Sequence, residues 1–237
     1  MYTDVFGLNR KKFIDRSERP RFKIGKNLSN TPNSAFETLN FGYDCLLMVE
    51  TNGENPLKSA QELVDIAIIS HKHLSSSDFY YRARKRLMEQ QLKVVARCLL
   101  RLQKKFPVKA KIAVFESSSK SWWVSMVGDM CFYIFNQNKL ERLLPKKISY
   151  KQLDSIQIKG IQILGLQIVD GELIVGERFM LINHNLNQIV TQEKLADILS
   201  KNALEKDLTK ISQEIIDCAR KKDSKQAYGI YLWEKLP

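Results

Sequence analysis

Three predicted β-strands follow one another in the segment WVSMVGDMCFYIFNQNKLERL, residues 123–143. Apolar residues dominate the first two strands, a Gly-Asp pair separates them, and a turn over 136–138 leads into the third. Connections this short join antiparallel strands. A carboxylate between two apolar strands is costly unless it is paired, hydrogen-bonded or bound to a cation. The segment therefore predicts an antiparallel sheet in which Asp129 faces a polar site.

The other predicted elements form separate blocks of strands and helices on either side of this segment. Alternating apolar residues predict strands, and apolar residues spaced three and four apart predict helices. In chain order the elements are strands over 38–50 with a hairpin at Gly42, helices over about 57–71 and 78–105, strands over 109–118, 121–128, 130–136 and 139–144, strands over 161–185, helices over 191–201 and about 206–221, and a strand over 227–233. Thr191 is the expected N-cap of the helix over 191–201. We expect a loop over 145–160 and turns at Asp170-Gly171 and Gly176-Glu177.

This order predicts an α+β fold, because strands and helices are segregated rather than alternating. We predict two packed antiparallel β-sheets flanked by pairs of α-helices. The last strand has to return to a sheet whose other members lie far away in the chain, and this ties the two ends together. Residues 1–237 are therefore predicted to form a single domain, with residues 1–20 as a basic N-terminal arm.

Length and composition are typical of a globular protein with a sizeable core. The chain has 237 residues, of which 44% are hydrophobic and 27% charged. Its apolar runs are shorter than the ~20 residues of a membrane span, and its first residues lack the apolar region of a signal peptide. We therefore expect a cytoplasmic protein. The four cysteines, Cys45, Cys98, Cys131 and Cys218, lack zinc-ligand spacing and are expected to be reduced core thiols.

The excess of positive charge is confined to two segments. The net charge is +12, and residues 9–26 carry eight basic and two acidic side chains, whereas residues 82–105 carry nine basic and one acidic. On the long predicted helix, five basic side chains form a basic ridge about 33 Å long. They are Arg82, Arg86, Lys93, Arg97 and Lys104. The ridge is either a solvated outer face or a surface that binds an acidic protein, nucleic acid or membrane lipid.

Three segments, in this order and spacing, match the pattern of one known family. They are VSMVGDMCFYIF (124–135), GERFMLINHN (176–185) and KQAYGIYLW (225–233). The first resembles a strand–Gly-Asp–strand element, the second a Gly-Asp-Arg segment that ends in Ser-Asp-Gly, and the third a final strand that opens with Asp-Asn. Over roughly residues 20–235 the chain thus resembles the metal-dependent serine/threonine protein phosphatases, the PPM or type 2C family. The resemblance implies the two-sheet sandwich predicted above.

The resemblance also implies a chemistry. In this family, carboxylates at the joint of the two sheets hold two metal ions, which lower the pKa of a bridging water so that hydroxide attacks a phosphoester. Magnesium or manganese needs oxygen ligands for this role. Neutral or basic replacements therefore remove the charge that the metal centre requires.

The sequence departs from the family pattern where that charge belongs. The corresponding cleft positions are Glu50, Asp129, Asn183, His184, Asn185 and Lys225. His184 stands at the aspartate of Ser-Asp-Gly, and Lys225 stands at the aspartate of Asp-Asn, where an ammonium repels a dication. Only Asp129 matches cleanly, and with its partners replaced we expect it to cap the hairpin through backbone amides.

These observations predict a catalytically inactive, PPM-like pseudophosphatase that acts as a scaffold. It would have no catalytic residues and no cofactor, and would bind an acidic or phosphorylated protein through the basic ridge and the arm. An alternative is an active phosphatase that binds magnesium or manganese through Glu50, Asp129 and either Asp170 or Asp223. A further alternative is nucleic-acid binding through the ridge, which rests on charge alone.

Overall fold

The computed structural model describes residues 22–41, 45–75, 104, 108–117, 120–145, 157–159 and 162–237. The strands are β1 (Phe22–Ser29), β2 (Ser34–Phe41), β3 (Cys45–Gly53), β4 (Val108–Ser117), β5 (Ser121–Val127), β6 (Cys131–Asn136), β7 (Lys139–Leu144), β8 (Gln157–Lys159), β9 (Gln162–Leu164), β10 (Gln167–Glu172), β11 (Arg178–Ile182) and β12 (Tyr228–Lys235). The helices are α1 (Pro56–Ser75), α2 (His184–Ile189), α3 (Gln192–Lys201) and α4 (Leu208–Arg220).

Two five-stranded antiparallel sheets form the centre of the molecule. The first sheet has the order β1-β12-β11-β6-β7, the second has the order β10-β5-β4-β3-β2, and β8 pairs separately with β9. The C-terminal strand β12 lies between β1 and β11, where Phe22 pairs with Lys235 and Arg178 pairs with Glu234. Both the predicted α+β class with two antiparallel sheets and the predicted return of the last strand are confirmed.

Aromatic side chains fill the space between the sheets. Phe115 and Trp122 of the second sheet meet Phe132, Phe179 and Trp233 of the first. The ring centroids of Phe115 and Trp233 are 4.9 Å apart, and those of Phe179 and Trp233 are 5.8 Å apart. Because burying one such side chain contributes roughly 1.5–3 kcal/mol, this aromatic cluster holds the sheets face to face.

Helices cover the outer faces of both sheets. Ala60, Leu63 and Ala67 of α1 pack against the second sheet, and α2 to α4 pack against the first. The α3 helix begins as predicted at its N-cap Thr191, whose hydroxyl accepts a hydrogen bond from the Lys194 backbone N–H at 3.3 Å. The start of α4 lies so close to β1 that a side chain on Gly25 would collide with its backbone, 2.2 Å from the Leu208 carbonyl carbon.

Arg178 connects the first sheet to the loop after α3. Its Nε donates to Glu234 at 2.7 Å, and its terminal nitrogens donate to the carbonyl oxygens of Asn202, Ala203 and Glu205 at 2.8 to 3.1 Å. The side chain is buried, so these bonds are shielded from water. The arginine of the GERF segment therefore supplies hydrogen-bond donors to three carbonyl groups of the loop that follows α3.

Three local predictions were wrong. The β10 strand continues through Asp170-Gly171, where a turn was expected, because its whole length pairs with β5. The strand predicted up to residue 185 ends at Ile182, since Asn183 caps α2. Residues 157–159, expected in a loop, form β8. The predicted α1 helix is confirmed, although it runs from Pro56 to Ser75.

The basic ridge falls largely outside the described residues. Arg82, Arg86, Lys93 and Arg97 lie there, as does the arm over residues 1–20, while Lys104 is an exposed turn residue. The single-domain assignment over the full chain stays a prediction. Within the part of the chain that the structure describes, no helix is long and apolar enough to cross a membrane.

Candidate functional site

Two neighbouring strands of the second sheet present opposite charges to the space between the sheets. Glu50 on β3 lies directly opposite Lys111 on β4, and side chains in such pairs are close enough to interact. Next to Lys111, Ile112 pairs with Val127, the last residue of β5. Asp129 follows two residues after Val127 and therefore lies beside the pair formed by Glu50 and Lys111. We call Glu50, Lys111 and Asp129 the lysine centre.

The ammonium of Lys111 lies between the two carboxylates. Its Nζ is 2.7 Å from Asp129 Oδ1 and 3.2 Å from Glu50 Oε1. Glu50 is 1% exposed and Lys111 is 8% exposed, so these ion pairs are formed away from bulk water. Asn52 donates a second hydrogen bond to Glu50 Oε1 at 3.3 Å, and His184 Nδ1 lies 3.9 Å from Asp129 Oδ2. The carboxylate expected to cap a hairpin thus pairs with a cation of its own chain.

Gly128 makes room for the lysine side chain. Its φ of +112° is unfavourable for any residue with a side chain. A Cβ built on it would lie 2.6 Å from Lys111 Cβ and 2.8 Å from Lys111 Cγ. The glycine of the Gly-Asp pair therefore both forms the turn and lets the aliphatic part of the Lys111 side chain pack against the backbone at position 128.

Burial and charge act against each other in the lysine centre. Burial raises the pKa of Glu50, and the attraction of Lys111 with the hydrogen bond from Asn52 offsets this only in part. Burial alone would lower the pKa of Lys111, but the attraction of Glu50 and Asp129 outweighs it and raises the pKa above the ordinary value. Lys111 is accordingly a charged ammonium, and it is compensated by two acidic groups.

Asn183 and Asn185 join the start of α2 to the last strand. Asn183 is fully buried; its Oδ1 accepts from the backbone N–H groups of Leu186 and Gly229, and its Nδ2 donates to the Ala227 carbonyl at 3.0 Å. Asn185 donates to the same carbonyl at 3.4 Å. These two residues therefore hold the backbone around His184 in place.

The structure brings Glu50, Asp129 and His184 together, and no described contact joins Lys225 to them. Lys225 is exposed in the turn before β12, and its backbone N–H donates to Asp223 Oδ1 at 2.8 Å. Asp170 is exposed on the edge strand β10, opposite Trp123 at the far end of β5 from Asp129. Neither Asp170 nor Asp223 has a contact to the lysine centre among the described interactions.

Lys111 is the site residue that the sequence analysis did not identify. A signal was present, because Lys111, Ala113 and Phe115 alternate along β4 and the last two face the core between the sheets. A lysine in phase with such positions is buried and needs acidic partners.

The Cys131 thiol is a poor candidate for a nucleophile, since burial raises its pKa to about 12.

The residues of the cleft do not fit the two-metal centre that the resemblance implies. In the described ranges, no group of three or more histidine, cysteine, aspartate or glutamate side chains is arranged to hold a metal ion. The point where Glu50 and Asp129 converge is occupied by an ammonium, which donates hydrogen bonds and offers no lone pair. A dication at this point would be repelled by the positive charge.

Comparison with known proteins supports the fold. No protein-family model matches the chain, and no curated protein matches it. The serine/threonine phosphatase PstP/Ppp of Mycobacterium tuberculosis is 11% identical, with 92% of this chain and 99% of that chain covered and a TM-score of 0.69. A structure of the PstP catalytic domain in complex with two manganese ions is also 11% identical, with 92% of this chain and 99% of that chain covered and a TM-score of 0.67. PppA, a regulatory component of the type VI secretion system in Pseudomonas aeruginosa, is 12% identical, with 91% of this chain and 98% of that chain covered and a TM-score of 0.68. The chain therefore has the fold of the PPM serine/threonine phosphatases.

Proposed function

We propose that this chain is a catalytically inactive domain with the PPM phosphatase fold, and that it acts by binding a protein. The observation that carries the proposal is the Lys111 ammonium, 2.7 Å from Asp129 and 3.2 Å from Glu50. These are the two carboxylates that remain at the cleft positions of the family pattern. Both are engaged by a cation that cannot leave.

A lysine does not replace the chemistry of a metal ion in this cleft. Hydrolysis at a dinuclear site depends on a bridging water whose pKa the two dications lower. An ammonium carries one positive charge and cannot coordinate a water oxygen through an empty orbital. The replacement of two further aspartate positions by His184 and Lys225 supports the same conclusion.

The proposed partner is an acidic or phosphorylated protein. The support is the net charge of +12, which is concentrated in residues 9–26 and in the basic ridge. Clusters of arginine and lysine recognise carboxylates and phosphates through charge-assisted hydrogen bonds. Binding through such a surface weakens as added salt screens the charges.

The absence of catalysis is tested with a generic phosphoester. Purified full-length protein is assayed for hydrolysis of p-nitrophenyl phosphate with magnesium or manganese, beside a chelator control. We expect no hydrolysis above the rate without enzyme. Manganese-dependent turnover that is lost in Asp129→Asn would overturn the proposal and establish an active phosphatase with an altered metal site.

The binding role is tested by comparing partners of two forms of the protein. Pull-downs from native cells use the wild-type chain and a triple variant, Arg86→Glu, Lys93→Glu and Arg97→Glu. We expect an acidic or phosphorylated protein to be captured by wild type, released by salt and absent with the variant. Salt-sensitive capture of nucleic acid instead, confirmed by a gel shift, would contradict the protein-binding proposal.

A further inference from the structure

We infer that Lys111 is a tethered cation standing in a divalent-cation site, and that truncating its side chain opens that site to an oxygen-preferring dication such as Mn²⁺. The inference deepens the proposed function and rests on it, because it takes Glu50 and Asp129 to be the remaining carboxylates of the cleft.

The two carboxylates already converge on one point. Asp129 Oδ1 and Glu50 Oε1 lie 2.7 and 3.2 Å from the ammonium nitrogen. Charge-assisted N–H···O bonds are about 2.7–2.9 Å long, whereas Mg²⁺ and Ca²⁺ bind oxygen at about 2.0–2.6 Å. A small ion at the position of the nitrogen therefore requires the carboxylate oxygens to move by only about 1 Å.

The second carboxylate oxygen of Glu50, Oε2, is buried and has no hydrogen-bond partner among the described residues. The Asn52 amide donates to the other oxygen, Oε1, and so fixes the orientation of the carboxylate. The buried carboxylate is thus held with one oxygen available, which a monovalent ammonium does not use.

The charges in the lysine centre also favour a dication. Two acidic side chains face one ammonium, and His184 Nδ1 is 3.9 Å from Asp129 Oδ2, the oxygen that Lys111 does not bind. Oxygen-preferring ions such as Mg²⁺ are commonly held by one or two carboxylates, with water completing the shell. Glu50 and Asp129 supply the two carboxylates of this binding mode once the ammonium is removed.

Two substitutions of Lys111 distinguish the effect of its positive charge from the effect of the volume that its side chain fills. The stem lies against Gly128, so truncation to alanine removes both the ammonium and the atoms that fill the site. Substitution by methionine removes the charge but leaves a chain of similar length between the carboxylates. The pair Lys111→Ala and Lys111→Met therefore distinguishes an opened site from a merely neutralised one.

The experiment measures Mn²⁺ binding by calorimetry and by thermal unfolding, using the full-length chain. We expect Lys111→Ala to bind Mn²⁺ at least about tenfold more tightly than wild type and to gain Tm as Mn²⁺ is added. Lys111→Met should show neither gain. Lys109→Ala, an exposed neighbour on the same strand, is the matched control and should behave as wild type.

Ligand identity is tested in the same background. Adding Glu50→Gln to Lys111→Ala should abolish the gain in Mn²⁺ affinity. If Lys111→Ala is unfolded in chelator, folding by circular dichroism on addition of Mn²⁺ supports the inference equally. Failure to fold or bind at millimolar Mn²⁺, or unchanged binding in the double variant, overturns it.

The two proposals fail in different ways. Metal-dependent phosphoester hydrolysis by the wild-type chain would remove the proposed function, whatever Lys111→Ala binds. A wild-type chain without hydrolysis, together with a Lys111→Ala variant that gains no Mn²⁺ affinity, would remove only the tethered cation. Equal Mn²⁺ binding by wild type and Lys111→Ala would also contradict the inference about Lys111, because the ions would then bind away from the lysine centre.

Discussion

A single glycine carries two constraints at the turn before Asp129. Gly128 has a φ of +112°, and a Cβ there would meet the Lys111 stem at 2.6 Å. Gly176 has a similar backbone, with a φ of +80°, but a Cβ on it would have no atom within 4 Å. The two glycines therefore form a matched pair in which only one has the additional close contact.

We predict that Gly128→Ala destabilises the protein more than Gly176→Ala does. Backbone strain alone costs about 1–2 kcal/mol, and the collision with Lys111 should add about 1–3 kcal/mol at Gly128. Urea unfolding of both variants gives the two free energies. Equal losses would show that the lysine stem does not lie against Gly128.

Glu177 predicts a pH dependence of stability. Burial raises its pKa from 4.5 to about 7, and a hydrogen bond with the Ile174 backbone offsets this only in part. Because the pKa of Glu177 is higher in the folded than in the unfolded state, the protonated carboxyl group contributes fully to folding stability below pH 4.5. This contribution is lost as the pH rises towards 7.

We therefore expect Glu177→Gln to become more stable relative to wild type as the pH increases. The difference in unfolding free energy between the two proteins should change by about 2 kcal/mol across this interval. Urea titrations at a series of pH values measure it. Parallel pH profiles of the two proteins would contradict the assignment.

At the scale of elements, one arginine fixes the end of α3 to the first sheet. Arg178 uses its fork of N–H groups to bind Glu234 and three backbone carbonyl oxygens at once. Lysine keeps the charge but lacks the planar fork. The loop after α3 therefore depends on the shape of the guanidinium as well as on its charge.

We predict that Arg178→Lys lowers the free energy of unfolding by about 2–4 kcal/mol, because the buried guanidinium loses most of its charge-assisted hydrogen bonds to Glu234 and to the loop carbonyl groups. Chemical denaturation measures the loss. Asp197→Ala removes an exposed ion-pair partner on α3 and should leave stability nearly unchanged. Comparable effects of the two substitutions would show that Arg178 is not the anchor of the loop.

At the scale of the whole molecule, β12 makes the two sheets depend on each other. It lies inside the first sheet, and its Trp233 is buried against Phe115 of the second. The indole Nε1 of Trp233 has no hydrogen-bond partner among the described residues. The contribution of this side chain is therefore packing rather than hydrogen bonding.

Trp233→Ala should lower the free energy of unfolding by about 3–5 kcal/mol, and Trp233→Phe by clearly less, since phenylalanine keeps the ring contact. Hydrogen exchange read out by strand should show lost protection in both sheets for Trp233→Ala. Loss confined to the first sheet would mean that the aromatic cluster does not couple them.

Local features of the chain were sufficient to predict most elements and the class of fold. Alternating apolar residues predicted β4 to β7, and Thr191 predicted the start of α3, because pleating and helix capping involve residues close together in the chain. The cost of an unpaired buried carboxylate likewise predicted a polar environment for Asp129. The continuation of β10 and the start of α2 were missed, because strand pairing and the contacts of Asn183 with β12 govern them.

The content of the site depended on the assembled sheets. Glu50 and Lys111 are 61 positions apart and meet only because β3 and β4 pair in one register. A shift of that register by one residue would turn Lys111 to the opposite face of the sheet. Local periodicity carries no information on which distant strand lies alongside. The chain therefore shows from its residues alone that a carboxylate needs a partner, whereas the packing of strands determines that the partner is a lysine.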